Sequence, residues 1–104
     1  DSADYLFDQR PLTLEAKAAA LVEKGRAHLK ALHARLSALP EWTVAATEAA
    51  VREEAETSGA KLGDLAQPLR AALTGKTTSP GIFDVLETLG REESLGRIAD
   101  QAGA

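Results

Sequence analysis

A helical repeat of apolar residues dominates the first half of the chain, from Leu14 to Leu39. Apolar side chains recur there at three- and four-residue spacing, which places them on one face of an α-helix: Leu14, Ala18, Leu21, Val22, Leu29, Leu32, Leu36 and Leu39. Thr13 suits the N-cap of this helix, with Glu15 in the first turn, and Pro40 ends it. Gly25 is a weak point in its interior, where the helix can bend or split. This segment commits a quarter of the chain to helix.

Two further helices are predicted in the middle of the chain. One comes after the Pro40-Glu41 break and stops near Ser58-Gly59; its leading apolar residues are Trp42, Val44, Ala45, Ala49 and Val51. Its acidic end is expected to face solvent: Glu53, Glu54 and Glu56. The next is predicted to start at an Asp64 N-cap, with Pro68 near its first turn, and to stop at Gly75.

The remaining sequence predicts two short helices. Ser79 is expected to be the N-cap of one, with Pro80 as its first residue and Gly90 at its end, and the last helix runs from about Glu92. No segment of any length alternates apolar and polar residues as a strand does. The sequence therefore predicts an all-α fold, a compact bundle of about five helices forming one domain over residues 1–104.

Composition narrows the class of protein. Apolar residues make up 44% of the chain but aromatic residues only 4%, which suits helices packed through small side chains. The absence of Cys excludes disulfides and thiolate metal sites and agrees with a reducing compartment, so we expect a cytoplasmic protein. No apolar run is long enough to span a bilayer. Because the chain opens at Asp1 and runs at once into Tyr5, Leu6 and Phe7, we expect it to be a fragment of a longer protein.

The charge distribution is uneven. A net charge of −4 argues against a general nucleic-acid binder, since phosphate neutralisation needs clustered Lys and Arg. Between Lys61 and Phe83, however, the charges include Lys61, Arg70 and Lys76, so the chain carries a locally basic window. That window is compatible with a small, specific RNA contact.

No arrangement of residues predicts catalysis or metal binding. His28 and His33 are five residues apart, about 140° around a helix, and cannot chelate one metal ion, so we expect them at the surface or half buried. The carboxylates of Glu53, Glu54 and Glu56 lack an apolar pocket that would tune them for acid–base work. Common enzymatic signatures are also absent. We predict no catalytic residue and no metal site, which indicates a binding module.

Three features could form a binding surface. Trp42 could stack on a base, but we expect it to anchor the core. The guanidinium of Arg70 suits a base edge or a phosphate, and equally an internal salt bridge to Asp64 or Glu87. The hydroxyl-rich loop from Gly75 to Ser79 could receive a base or a phosphate, although an ordinary helix connection is the favoured interpretation from the residues alone.

The segments KLGDLAQPLRAALTG and SPGIFDVLETLGREESLGRIADQ resemble the end of bacterial glutamyl-tRNA synthetases. The resemblance rests on the box from Leu69 to Gly75, the Ser79-Pro80 pair, the turn from Leu89 to Glu92 and the closing Arg97-Ile98. Weaker matches, including Glu41-Trp42-Thr43, extend it over nearly the whole chain. It implies the all-helical anticodon-binding fold of class I aminoacyl-tRNA synthetases.

The resemblance also implies a site for splayed anticodon bases of tRNA(Glu). Arg70 matches the base-contacting arginine of the family, Ser79 and Pro80 match a junction that lies against the first two anticodon bases, and Ile82 matches an apolar residue on which a base packs. Further candidate contacts to phosphate or RNA are Lys61, Lys76 and Thr77.

The parent enzyme of such a fragment would join glutamate to tRNA with ATP and Mg²⁺ in upstream catalytic domains. No HIGH-like or KMSKS-like motif is present here, so we expect a non-catalytic, monomeric fragment without cofactors, whose partners are the tRNA(Glu) anticodon loop and those domains. Whether the parent also charges tRNA(Gln) stays open. The alternative is a helical protein-interaction module that binds no RNA.

Overall fold

The computed structural model describes residues 10–103, and within that range the chain forms six α-helices and no strand. They are α1 (Ala16–Lys24), α2 (Arg26–Ser37), α3 (Val44–Ser58), α4 (Leu62–Thr74), α5 (Ile82–Leu89) and α6 (Arg91–Ala102). The all-α prediction is confirmed, but the number of about five helices is wrong. The apolar cluster Tyr5, Leu6 and Phe7 lies outside the described residues.

The sixth helix arises because the predicted first helix splits at Gly25. A Cβ atom at Gly25 would lie 2.5 Å from Cγ of Pro68, so α4 approaches the backbone there more closely than any side chain would allow. The junction therefore marks the place where α1 and α2 pack on α4.

The predicted N-cap at Thr13 is also wrong, since α1 begins at Ala16 with Glu15 in the N-cap position. The backbone N–H of Glu15 donates to the carbonyl of Gly75 at 2.9 Å. This bond holds the chain before α1 in an extended path against the end of α4, so the helix starts later than its local sequence suggests.

Helix α3 stops where predicted, but it begins at Val44, so Trp42 precedes the helix instead of leading it. Thr43 Oγ1 accepts from the Ala46 N–H at 3.0 Å, and Gly59 ends the helix in the left-handed conformation with φ of 75°. Trp42, half buried just before it, donates from Nε1 to the Leu86 carbonyl at 2.7 Å, and the Arg91 guanidinium carbon lies 5.3 Å from the ring centroid. Its predicted role as a core anchor is confirmed.

The acidic end of α3 does not face solvent throughout. Glu54 is only 8% exposed because it accepts from Arg35 Nε at 2.5 Å, and Arg35 also donates to Thr57 Oγ1 at 3.0 Å. Glu53 and Glu56 are exposed as predicted. The prediction for Glu54 was wrong because its ion-pair partner lies on α2, 19 residues earlier.

Helix α4 begins earlier than predicted, at Leu62 with Lys61 as N-cap. Asp64 is the third helical residue, and its carboxylate accepts from the Lys61 N–H at 3.2 Å. Pro68 therefore lies inside the helix rather than in its first turn, and it leaves the Asp64 carbonyl without a helical N–H. The Gly75 stop is confirmed, with φ of 76°.

Helix α4 occupies the centre of the molecule, since each of the other five helices packs against it. It contributes five side chains to the apolar core: Leu65, Leu69, Ala71, Ala72 and Leu73. The Cα radius of gyration is 12.1 Å. Among the described helices, none has the length and apolar character needed to cross a membrane.

Candidate nucleic-acid interface

Arg70 and Ser79 meet at the end of α4. Arg70 is half buried, and its Nε donates to Ser79 Oγ at 2.9 Å. No carboxylate between residues 10 and 103 forms an ion pair with it, so the predicted alternatives, Asp64 and Glu87, are both wrong. The two terminal nitrogens of the guanidinium make no hydrogen bond to the described part of the chain. Arg70 therefore has donors available for a ligand.

The connection from Gly75 to Gly81 is tied to α4 at its first residues. Thr74 Oγ1 donates to the Arg70 carbonyl at 2.9 Å and accepts from the Lys76 N–H at 3.2 Å. A Cβ at Gly75 would lie 3.1 Å from the Thr13 carbonyl oxygen, in a backbone conformation that already favours glycine. The loop thus leaves the helix along a defined path.

Ser79 does not cap the following helix, contrary to the prediction. Helix α5 begins at Ile82, with Gly81 in the N-cap position and no side-chain cap. The Ser79 hydroxyl is used elsewhere, because it accepts from Arg70 and donates to the Pro80 carbonyl at 2.7 Å. The tertiary contact with Arg70 replaces the local cap.

The other predicted site residues fall into three environments. Pro80 is exposed, and Lys76 and Thr77 are half buried on the same loop. Ile82 is 5% exposed and belongs to the core, so it presents little surface to a ligand in this structure. Lys61 is exposed at the opposite end of α4, about 14 Å from Arg70 along the helix axis at 1.5 Å per residue. The structure gathers the loop residues with Arg70 and leaves Lys61 apart.

One buried residue beside this end of α4 entered the sequence analysis only as part of the family resemblance, without a predicted structural role. Arg97 of α6 is 1% exposed, and its Nη1 donates to the Leu73 carbonyl at 2.8 Å. Its Nε donates to Glu93 at 2.7 Å. The four-residue spacing of Glu93 and Arg97 indicates a helical ion pair but not its burial.

No group of three or more His, Asp or Glu in residues 10–103 is placed to hold a metal ion. His28 and His33 are both half buried, as predicted.

Comparison with known families decides the class of this chain. A family model described as an anticodon binding domain matches residues 1–102. The chain belongs to the anticodon binding domain family. This membership favours the RNA-binding interpretation over the protein-interaction module.

Two curated relatives place the domain within a family of enzymes. The chain is 59% identical over 103 residues to glutamate–tRNA ligase 1 of Methylobacterium radiotolerans and 61% identical over 103 residues to glutamate–tRNA ligase 2 of a Chelativorans species. Each match covers 98% of this chain and 22% of the relative, so the chain spans about a fifth of their length. The resemblance to bacterial glutamyl-tRNA synthetases is confirmed.

The fold is also found in a solved structure. A glutamate tRNA ligase from Elizabethkingia meningosepticum superposes with a TM-score of 0.86 at 23% identity, over 98% of this chain and 20% of the other. The anticodon binding domain fold is therefore kept where most residues differ.

Proposed function

We propose that this chain recognises the anticodon of tRNA(Glu) on behalf of a glutamate–tRNA ligase. The observation that carries the proposal is the Arg70 side chain, oriented by Ser79 at 2.9 Å while its terminal nitrogens stay available. Family membership and the identity to glutamate–tRNA ligases support the choice of ligand.

Recognition would use the single-stranded anticodon loop, whose unstacked bases offer their edges to side chains. The Arg70 guanidinium is planar and always charged, so its free nitrogens can donate to two acceptors of one base. Because Ser79 already fixes Nε, less side-chain entropy is lost on binding. Pro80 would lie against a base, and Ile82 would form the apolar floor beneath the site rather than an open face.

Phosphate contacts would be few. Lys76 and Thr77 lie on the loop that follows Arg70, whereas Lys61 would reach only nucleotides near the other end of α4. With a net charge of −4, the chain offers no extended cationic surface. We therefore propose weak but base-selective binding by this chain alone.

The rest of the reaction would belong to other parts of a longer protein. Activation of glutamate would take place with ATP and Mg²⁺ in catalytic domains outside this chain, and this chain would contribute binding rather than catalysis. We propose that the ligase acts as a monomer in the cytoplasm. Use of tRNA(Gln) as a second substrate would depend on residues elsewhere.

A titration of the isotope-labelled chain with an anticodon stem-loop tests the proposal. The largest chemical-shift changes should occur at Arg70 and from Ser79 to Ile82. Replacing Arg70 with Ala should weaken binding by about 1 to 3 kcal/mol, the usual cost of losing a good base contact. Arg52→Ala is the matched control, because Arg52 is an exposed arginine of α3 that pairs with Glu48 at 2.8 Å.

Equal losses of binding free energy for Arg70→Ala and Arg52→Ala would show that Arg70 contributes only its charge. Shift changes no larger at Arg70 and Ser79 than elsewhere would contradict the proposed site. Binding of a partner protein to Glu53 and Glu56 without any RNA response would favour the interaction module instead.

A further inference from the structure

Arg97 has the largest side chain among the fully buried residues, and it lies on α6 rather than on the proposed RNA-binding surface. A buried guanidinium is costly unless its donors are satisfied, and an apolar residue would be expected to fill the same space at lower cost. Its contacts with other described residues therefore indicate one contribution of the arginine.

The Nη1 atom of Arg97 donates to the Leu73 carbonyl at 2.8 Å. Leu73 lies in the last turn of α4, where carbonyl groups have no helical N–H to accept from, and where a positive charge is favourable next to the helix dipole. The neighbouring Ala71 carbonyl is satisfied by the Gly75 N–H at 2.8 Å. Arg97 thus completes the C-terminal end of α4 from another helix.

The same end of α4 holds Arg70 and is followed by the loop that contains Ser79. Thr74, the residue after Leu73, bonds through Oγ1 to the Arg70 carbonyl and to the backbone of Lys76. A displaced Leu73 carbonyl would move Thr74 and, with it, the start of the loop that carries Ser79. Arg97 is therefore connected to the site through two groups, the Leu73 carbonyl and the Thr74 side chain.

Glu93 holds the guanidinium in the required orientation. One of its carboxylate oxygens accepts from Arg97 Nε at 2.7 Å, and the other lies 3.8 Å from Arg10 Nη1. Arg10 is also paired with Asp100 at 3.0 Å. The planar fork of an arginine can donate to Glu93 and Leu73 in two directions, which the single ammonium group of a lysine does not reproduce.

We propose that Arg97 is a positioning residue for anticodon recognition: it fixes the last turn of α4 so that Arg70 and Ser79 are presented to RNA in one geometry. The inference rests on the proposed function. Arg97 touches no RNA itself, because it is 1% exposed. Its effect on binding passes through Leu73 and Thr74.

The test compares Arg97→Lys and Arg97→Met with Val51→Ala, a control that removes buried apolar contacts from α3 and leaves every hydrogen bond of Arg97 in place. Circular dichroism selects a temperature at which all variants are folded. There, both Arg97 variants should bind the anticodon stem-loop at least about fivefold more weakly than wild type, approaching the loss expected for Arg70→Ala. Val51→Ala should bind as wild type does.

A second measurement needs no RNA. Hydrogen exchange at Arg70 Nε and at the Lys76 amide reports the bonds to Ser79 and Thr74, and exchange should be faster in Arg97→Lys than in Val51→Ala. If both Arg97 variants fail to fold, Glu93→Gln replaces them, since Glu93 is 38% exposed on its side chain and should be tolerated.

The outcomes separate the two proposals. If the wild-type chain binds the anticodon stem-loop and the Arg97 variants bind it with the same affinity, the positioning role is overturned and the proposed function stands. Absence of wild-type binding would overturn the proposed function, and the exchange rates would then decide whether Arg97 positions the loop. Exchange rates equal to those of Val51→Ala would overturn the positioning role directly.

Discussion

Three arginines of this domain have different partners and therefore different roles. Arg35 joins α2 to α3 through Glu54, and Arg97 completes the last turn of α4 from inside the core. Within residues 10–103, the guanidinium of Arg70 makes a single hydrogen bond, to the Ser79 hydroxyl, and keeps its terminal donors available. An arginine without a carboxylate partner has the most to gain from an acceptor on RNA, which is why the binding proposal centres on Arg70.

Gly25 and Gly63 provide a test of close packing at single residues. A Cβ at Gly25 would collide with the Pro68 ring at 2.5 and 2.7 Å, whereas nothing lies within 4 Å of a Cβ at Gly63. Gly25→Ala should lower the free energy of unfolding by about 1 to 3 kcal/mol, as overpacking does. Gly63→Ala should raise it by up to about 1 kcal/mol, because alanine favours helix over glycine.

Urea denaturation of both glycine variants measures these changes. A Gly25→Ala protein as stable as wild type would mean that α1 and α4 can separate without cost. Such a result would contradict the tight junction described here.

At the level of elements, the helices are joined by specific polar contacts as well as by the apolar core. Glu54 lies on α3 facing α2, and Trp42 reaches from the start of α3 to the end of α5. The Leu86 carbonyl accepts from Trp42 Nε1 and, at 3.3 Å, from Ser94 Oγ. These contacts fix the directions of helices whose small apolar side chains alone would allow sliding.

The pairing of α2 with α3 predicts unequal roles for two adjacent glutamates. Glu54→Gln should lower the free energy of unfolding by about 1 to 2 kcal/mol, since it weakens a charged hydrogen bond to Arg35 in a buried setting. Glu53→Gln should change it by less than about 1 kcal/mol, because its contact to Arg35, at 3.5 Å, is exposed.

Thermal or urea unfolding of the two glutamine variants distinguishes the sites, and the removed charge is the same in both. Equal effects would indicate that net charge, rather than the buried contact, sets the stability. A larger effect at Glu53 would contradict the described arrangement.

At the level of the whole molecule, the domain is acidic and places few cations at the proposed interface. Arg70 and Lys76 lie there, and Lys61 lies at the far end of α4. Under the proposed function, long-range attraction to RNA would therefore be small, and selectivity would come from short-range contacts.

The salt dependence of binding should reflect that small footprint. With two or three phosphates neutralised, the logarithm of the association constant should fall with the logarithm of salt concentration with a slope of about −1.4 to −2.1, using the single-strand value per phosphate. Titrations of the anticodon stem-loop at several salt concentrations measure it. Lys76→Ala should make the slope shallower, and a wild-type slope steeper than about −4 would require a cationic surface that this chain does not present.

The sequence predicted the helical class, the C-terminal ends of α3, α4 and α5 and the anchoring role of Trp42. Each of these three helices ends at a glycine with positive φ: Gly59, Gly75 and Gly90. Helix termination at such residues is a local property of the backbone, so it can be inferred from neighbouring residues. The family resemblance likewise depended on residues close together in the chain.

The predicted helix starts at Thr13, Asp64 and Ser79 were wrong, and tertiary contacts explain two of them. The Glu15 N–H bonds to Gly75, and the Ser79 hydroxyl bonds to Arg70, so neither segment follows its local capping preference. The burial of Glu54 has the same kind of cause, an arginine on another helix.

By itself, then, the sequence determined the helical class, where helices stop and which family the chain belongs to, because these depend on local backbone preferences and on residues in fixed order. Only the tertiary structure decided that the long first helix splits at Gly25, that Arg70 pairs with Ser79 and that Arg97 is buried behind Leu73. Each of these results from groups distant in the chain competing for the same space or the same hydrogen bond, and their distances in the fold are not encoded in any one stretch of residues.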